Sequence, residues 1–317
     1  MTGPPDVTVV IPTRDRWSLL DRALRSALAQ RDVTAEIVVV DDGSASPMPE
    51  QLARRLPPTV RVIELPARGG VARARNRAIA EARGAWIAFL DDDDLWAPDK
   101  LRRQLDATGA GVALVYAAAI MIDGQARMTG VRPAPPPSEL DPGLLETNLV
   151  GSPSGVLART DLVRRVGGFD PALSVLADWD LWIRLLQTGS ARACAEPLVG
   201  YTVHPGNMHL GNPAGLRREL RMLRRKHARA CAAAGVRPGG RAFSRWLVAR
   251  YRDAGLRGEA ARVYARLGVR YGAPRDLARA PLMLLGEGAM GVARRGRPRR
   301  AGRLGPAPEW LADQGMR

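Results

Sequence analysis

Cysteine is almost missing from this 317-residue chain, which has only Cys194 and Cys231. Two thiols exclude a disulfide framework and read as small buried hydrophobes of a reduced, cytosolic protein. Long apolar runs are missing too. A membrane-crossing helix needs about 20 apolar residues. The nearest candidate, 280–293, is shorter and carries Glu287. The first six residues hold neither a basic nor an apolar stretch, so no secretory signal is expected. Lysine is as scarce as cysteine, with Lys100 and Lys226 alone. No G-x-G-x-x-G follows the first apolar run, which removes most of the case for a dinucleotide-binding dehydrogenase.

Arginine, by contrast, is abundant. The chain has 48 basic residues against 32 acidic, a net charge of +16, in an otherwise ordinary globular composition of 46% hydrophobic residues. The excess is local. Residues 1–209 hold 23 basic and 25 acidic residues, whereas 210–317 hold 25 and 7. An acidic partner would therefore meet the last third of the chain. A composition that favours arginine accounts for the same numbers, and both explanations stand at this point.

Strand-length apolar runs alternate with helical patterns through the first half. Residues 7–12, 36–40, 60–65 and 85–90 read as strands, with helices over 17–30, 51–56 and 71–82. Such alternation predicts βαβ units and a mostly parallel sheet covered on both faces. Further on, 112–122 and 197–204 read as strands, 133–137 as a loop, and 161–166 and 179–187 as helices. From 214 onward four helical stretches follow, separated by Gly and Pro. The expected organisation is an α/β domain over 1–209, a helical arginine-rich appendage over 210–293 and a basic, flexible tail over 294–317.

Ligands of open parallel sheets bind at the carboxyl ends of the strands. There this sequence has Pro12-Thr13-Arg14-Asp15, Asp41-Asp42-Gly43-Ser44, and Asp91-Asp92-Asp93-Asp94. Four adjacent carboxylates repel one another and need solvent or a counter-cation. A hard divalent ion, Mg²⁺ or Mn²⁺, completed by phosphate oxygens would neutralise them. An acidic turn before a helix is the plainer alternative. Gly69-Gly70 opens the helix carrying Arg73, Arg75 and Asn76, a setting for phosphate or base contacts. Asp178, in Asp178-Trp179-Asp180, reads either as a helix cap or as a general base.

The ordered set VVIPTRDR, VVVDDGS, GGVARARN, FLDDDDLW, GGFD and DWDLWIRL resembles family 2 glycosyltransferases of the GT-A fold, over about residues 7–205. The resemblance implies inverting transfer of a sugar from a nucleotide-sugar to a hydroxyl, with a divalent metal. It implies that Pro12, Thr13, Asp15, Asp41, Asp42, Arg75, Asn76, Asp91 and Asp92 bind the donor. Asp93, Asp91 and His204 would hold the metal, and Asp178 would be the catalytic base. Two positions depart from the family pattern: Arg68 replaces an Asn, and Ala177 replaces the first acid of a Glu-Asp pair, which leaves Asp180 as a rival base. The Gln-x-x-Arg-Trp motif of processive synthases is absent, which favours transfer of a single sugar.

Two other classes compete. A nucleotidyltransferase would use similar acids but wants a Gly-rich basic loop after the first strand. A nucleic-acid module would rest on the basic last third, where aromatics are few and fall at helical spacing. For that region an anionic lipid surface or a lipid-linked or anionic acceptor is the preferred partner, at the inner face of the cell membrane. The stripe Leu216, Leu220, Leu223 among arginines suits a lipid interface, or else packs as a docking helix.

Overall fold

A computed structural model of the chain describes residues 3–204, 212–253, 255–285 and 307–312. They fall into two compact units. One takes in 3–141, 149–204 and 307–312, the other 142–148, 212–253 and 255–285. The basic run 294–303, expected to be flexible, lies outside the described residues.

The first unit is built on one nine-stranded mixed sheet. Its strands are β1 (Val7–Thr13), β2 (Ala35–Asp41), β3 (Val60–Glu64), β4 (Trp86–Phe89), β5 (Leu95–Trp96), β6 (Val112–Ile122), β7 (Met128–Arg132), β8 (Val156–Arg159) and β9 (Ser190–Thr202). The order is β3-β2-β1-β4-β8-β6-β9-β5, with β7 added on β6. Parallel pairing joins β3, β2, β1 and β4, and again β6 and β9. Between these blocks β8 runs antiparallel to both neighbours. The βαβ alternation thus carries over into the first half, and the sheet as a whole is mixed.

Burial explains why these segments became strands. Val7, Val9, Val10 and Ile11 are fully buried, as are Val38, Val39 and Val40, so both faces of the central strands are covered. Helix α1 (Trp17–Leu28) buries Leu20, Ala23, Leu24 and Ala27, the spacing of one helical face. Strands β5, β7 and β8 are absent from the sequence reading. Strand β5 spans only two residues, β7 carries Gly130 in its middle and β8 follows directly on the Pro153–Gly155 turn, so no long apolar run marks them. Strand β9 starts at Ser190, well before 197, because its first half alternates small and polar residues.

The chain returns to this unit near its end. In the helix Glu309–Ala312, Leu311 is buried with Leu95, Ile120 and Ile122, and Trp310 packs beside them. That part of the expected loose tail is therefore core.

The second unit contains helices Pro213–Lys226, Ala228–Ala233, Arg241–Asp253, Arg257–Arg270 and Pro274–Leu285. The Asn212 side chain caps the first of these, accepting from the Gly215 amide at 2.8 Å. Leu216 and Leu223 are buried and Leu220 lies against Gly239, so this stripe faces inward and is not available to lipid. Among the described residues no helix is long and apolar enough to cross a membrane.

Candidate active site

Because β1, β2 and β4 are parallel, their carboxyl ends deliver Thr13, Asp41 and the loop 90–94 to one edge of the sheet. Pro12 lies buried inside β1 opposite Val40, and Thr13 stands opposite Asp41. The Thr13 carbonyl accepts from the Asp42 amide at 2.9 Å, while its hydroxyl donates to Asp92 Oδ2 at 2.8 Å. Asp41 closes a turn by accepting from the Ser44 amide at 3.0 Å and its hydroxyl at 2.5 Å. That same hydroxyl accepts from the Asp15 amide at 2.8 Å, and Asp15 Oδ1 accepts from the Ala45 amide at 2.6 Å. Asp15 and Asp41 thereby lock two strand-end loops together.

Asp42 does something the sequence did not reveal. Its carboxylate accepts from the Gly69 amide at 2.6 Å and the Gly70 amide at 2.9 Å. It thus fills the N-terminus of α3 (Val71–Glu81), the position read as a phosphate contact. Gly70 makes the turn possible with φ of 90°.

Each acid of the tetrad has its own partner. Asp91 pairs with the buried Arg75, whose guanidinium also lies 5.0 Å from the centre of the Phe169 ring. Asp92 takes Thr13 and, at 3.2 Å, Arg16. Burial and the neighbouring Asp93 push its carboxyl up to about 6, against the pull of Thr13 and Arg16. Asp93 Oδ2 receives Arg16 Nη1 at 3.0 Å and lies 2.9 Å from His204 Nε2. Asp94 is buried and accepts from the Thr202 amide at 2.9 Å. Its carboxyl is raised by burial and by Asp93 and Asp91. The Ser154 hydroxyl accepts from the Asp91 amide at 3.0 Å.

The two rival acids of α7 (Ala177–Leu186) separate sharply. Asp180 is fully buried and accepts from Arg184 Nε at 2.9 Å and Nη2 at 2.6 Å. Arg184 also donates to the Val166 and Gly168 carbonyls, both at 2.7 Å. Asp180 is committed to holding this turn. Asp178, one turn edge away, is only partly buried and takes the Trp179 amide at 2.6 Å. Burial pushes its carboxyl up to about 6 and Asp91 adds to the push, while Trp179, Arg75 and Arg132 oppose it. Asp178 thus shares one electrostatic neighbourhood with the Asp91–Arg75 pair.

Asn76 is not brought to the acids. Its amide donates to the Phe169 carbonyl at 2.7 Å and its oxygen accepts from the Phe169 amide at 2.8 Å. It holds the Gly167-Gly168-Phe169 turn. A Cβ at Gly168, whose φ is 65°, would stand 2.4 Å from Asn76 Oδ1. Sequence reasoning missed Arg16, Ser154, Thr202 and Arg132. Arg16 lies within VVIPTRDR, where arginines flank Asp15 on both sides and spacing alone does not single one out. Ser154 and Arg132 sit in stretches without periodicity, and only the folded chain brings them near the acids.

As for a divalent cation, the donor set is a carboxylate and an imidazole, Asp93 and His204, in direct contact with each other at 2.9 Å. Among the described residues no group of three His, Cys, Asp or Glu side chains converges. Two protein ligands suit Mg²⁺ or Mn²⁺ provided that water and substrate phosphates complete the shell. The residues fit on that condition, with Asp91 engaged by Arg75.

Comparison with known proteins bears on the fold and the family. The mannosyltransferase PcManGT from Pyrobaculum calidifontis, solved with GDP-Man and Mn²⁺, matches with a TM-score of 0.55 and 20% identity over 92% of this chain and 84% of that one. The S. aureus TarS fragment 1–349, solved with UDP, matches with a TM-score of 0.53 and 17% identity over 93% of each chain. These likenesses define the fold as GT-A. Residues 8–167, just over half of the chain, match glycosyl transferase family 2. The chain belongs to that family. Among curated relatives, the succinoglycan biosynthesis protein ExoO of Rhizobium meliloti (strain 1021) is 38% identical over 212 residues, 63% of this chain and 61% of that protein. The pre-mycofactocin glycosyltransferase of Mycobacterium tuberculosis is 33% identical over 214 residues, 62% of this chain and 43% of that protein. The chain thus spans less than two thirds of either relative.

Proposed function

We propose that this protein moves one sugar from a nucleoside-diphosphate sugar to a hydroxyl acceptor with inversion at the anomeric carbon. Asp178 is the general base in this reading. The observation that carries it is the difference between the two acids of α7: Asp180 is consumed by Arg184, whereas Asp178 stays partly open beside Arg75 and Asp91. A carboxylate with a raised pKa is a better proton acceptor and is still ionised at neutral pH. It takes the acceptor proton as the hydroxyl attacks opposite the leaving diphosphate, so no enzyme nucleophile is needed. Thr13, Asp15, Asp41 and Asp92 line the nucleotide side, and Arg75 meets negative charge on the donor.

Asp93 and His204 would hold a divalent cation, which when bound neutralises the diphosphate leaving group. The Mn²⁺ and GDP-Man of the mannosyltransferase complex and the UDP of the TarS complex support that donor class. The arginine-rich second unit is the side that meets a lipid-linked or anionic acceptor, at the inner face of the cell membrane. With the leucine stripe buried, such contact acts through charge and weakens with salt.

The test is release of nucleoside diphosphate from UDP- and GDP-sugars, with and without Mn²⁺. The wild type should turn over one donor class in a metal-dependent way, with kcat rising as pH passes about 6. Asp178→Asn should lose on the order of 10²–10⁴-fold in rate. An Asn variant at full rate would remove Asp178 from the chemistry.

A further inference from the structure

We infer that Arg16 is the cation that fills the acid cluster before donor binding, and that a divalent cation enters only by displacing it. The inference rests on the metal-dependent reading above. Arg16 Nη1 sits 3.2 Å from Asp92 Oδ1 and 3.0 Å from Asp93 Oδ2. His204 Nε2 lies 2.9 Å from that same Asp93 oxygen. The guanidinium therefore holds the oxygen that a metal shared by Asp93 and His204 would need.

The other acids of the cluster have partners that stay in place. Asp91 is paired with Arg75, whose side chain is 4% exposed, and the buried Asp94 accepts from the Thr202 amide. Arg16 is different, with a side chain 36% exposed. It can swing away without opening a buried void, whereas Arg75 cannot. A guanidinium and a divalent ion on the same carboxylate oxygen repel each other, so Arg16 opposes entry of the metal while it stays in place.

The released guanidinium does not go unused. Its planar fork matches a phosphate. A nucleoside diphosphate would therefore offer ligands to the metal and a new partner to Arg16 in the same event. Metal and nucleotide then bind cooperatively, and by reciprocity each raises the affinity of the other equally. Arg16 is the coupling element, exchanging the Asp92 and Asp93 carboxylates for the diphosphate as the metal arrives.

The readout is Mn²⁺ binding, followed by the loss of the free-ion electron paramagnetic resonance signal, on the whole chain without any acceptor. Arg16→Gln should bind Mn²⁺ alone about tenfold more tightly than wild type, equivalent to about 1.4 kcal/mol. The gain in Mn²⁺ affinity on adding UDP or GDP should shrink by a similar factor. Arg16→Lys, which keeps the charge, should stay within about twofold of wild type. Equal or weaker Mn²⁺ binding by Arg16→Gln, with binding still abolished by Asp93→Asn, overturns the inference and leaves the metal reading intact. Tightening by Lys as large as by Gln overturns it too, because charge would not be the cause. A wild type that binds no Mn²⁺ even with UDP and GDP present overturns the metal reading, and this inference with it.

Discussion

Replacing Asp178 by Asn should stabilise the protein while disabling it. The side chain keeps its oxygen acceptor for the Trp179 amide, so the start of α7 is preserved. What changes is charge. Burial lifts the Asp178 carboxyl from an ordinary 3.8 to about 6, so the fold favours its protonated form. At about 1.4 kcal/mol per tenfold, that difference sets a ceiling of about 3 kcal/mol. Partial exposure brings the expected gain to about 1–2 kcal/mol. The sign follows from linkage. A carboxyl whose folded pKa is raised opposes folding once it is charged, fully so above pH about 6, and the penalty fades as pH drops toward 4. Urea unfolding at pH 7.5 should therefore show a higher midpoint for Asp178→Asn with an unchanged slope. At pH 4 the two midpoints should coincide. A lower midpoint at pH 7.5, or a gain that persists at pH 4, would refute the reasoning. The same preparation should release nucleoside diphosphate at least a hundredfold more slowly.

Asp180→Asn is the mirror experiment. It breaks a buried pair in which Arg184 keeps its charge, a loss of about 3–5 kcal/mol, and a thermal melt should fall by about 10 °C. Loss of activity without loss of stability would make Asp180 the base instead. Trp310→Ala should cost about 2 kcal/mol, less than a fully buried tryptophan, since Trp310 only flanks the cluster of Leu95, Ile120 and Ile122. An unchanged melt would show that the helix Glu309–Ala312 does not hold this edge.

The parts of the molecule that could be read from the sequence are those governed by local pattern. Continuous apolar runs such as Val7–Thr13 and Val112–Ile122 declare buried strands, and the topology rule then places the acid clusters at one sheet edge. Strands β5, β7 and β8 stayed hidden because pairing partners, not periodicity, make them strands. Polar pairing was equally opaque. Nothing in the spacing of Asp42 says that it caps a helix 27 residues away, or that Asn76 serves the main chain of Phe169 instead of a ligand. Asp178 and Asp180 do differ in the sequence, because Arg184 stands four residues after Asp180, the spacing of a helical ion pair. The leucines of Pro213–Lys226 had the spacing of a lipid-facing stripe and the spacing of a packed helix, and burial chose the second.

The return of Trp310 and Leu311 to the first unit has a consequence for biogenesis. Strand β9 emerges from the ribosome about a hundred residues before the helix that packs on the Leu95, Ile120 and Ile122 cluster. At roughly 5–20 residues per second, that apolar surface stays uncovered for about 5–20 s of translation. It lies beside β5, the edge strand that directly follows the acid loop. A nascent chain at that stage presents both a sticky patch and an open sheet edge, which is what a chaperone recognises and what aggregation exploits. Codon usage across residues 203–309 is therefore a kinetic variable for the yield of this protein, independent of any residue in its candidate site.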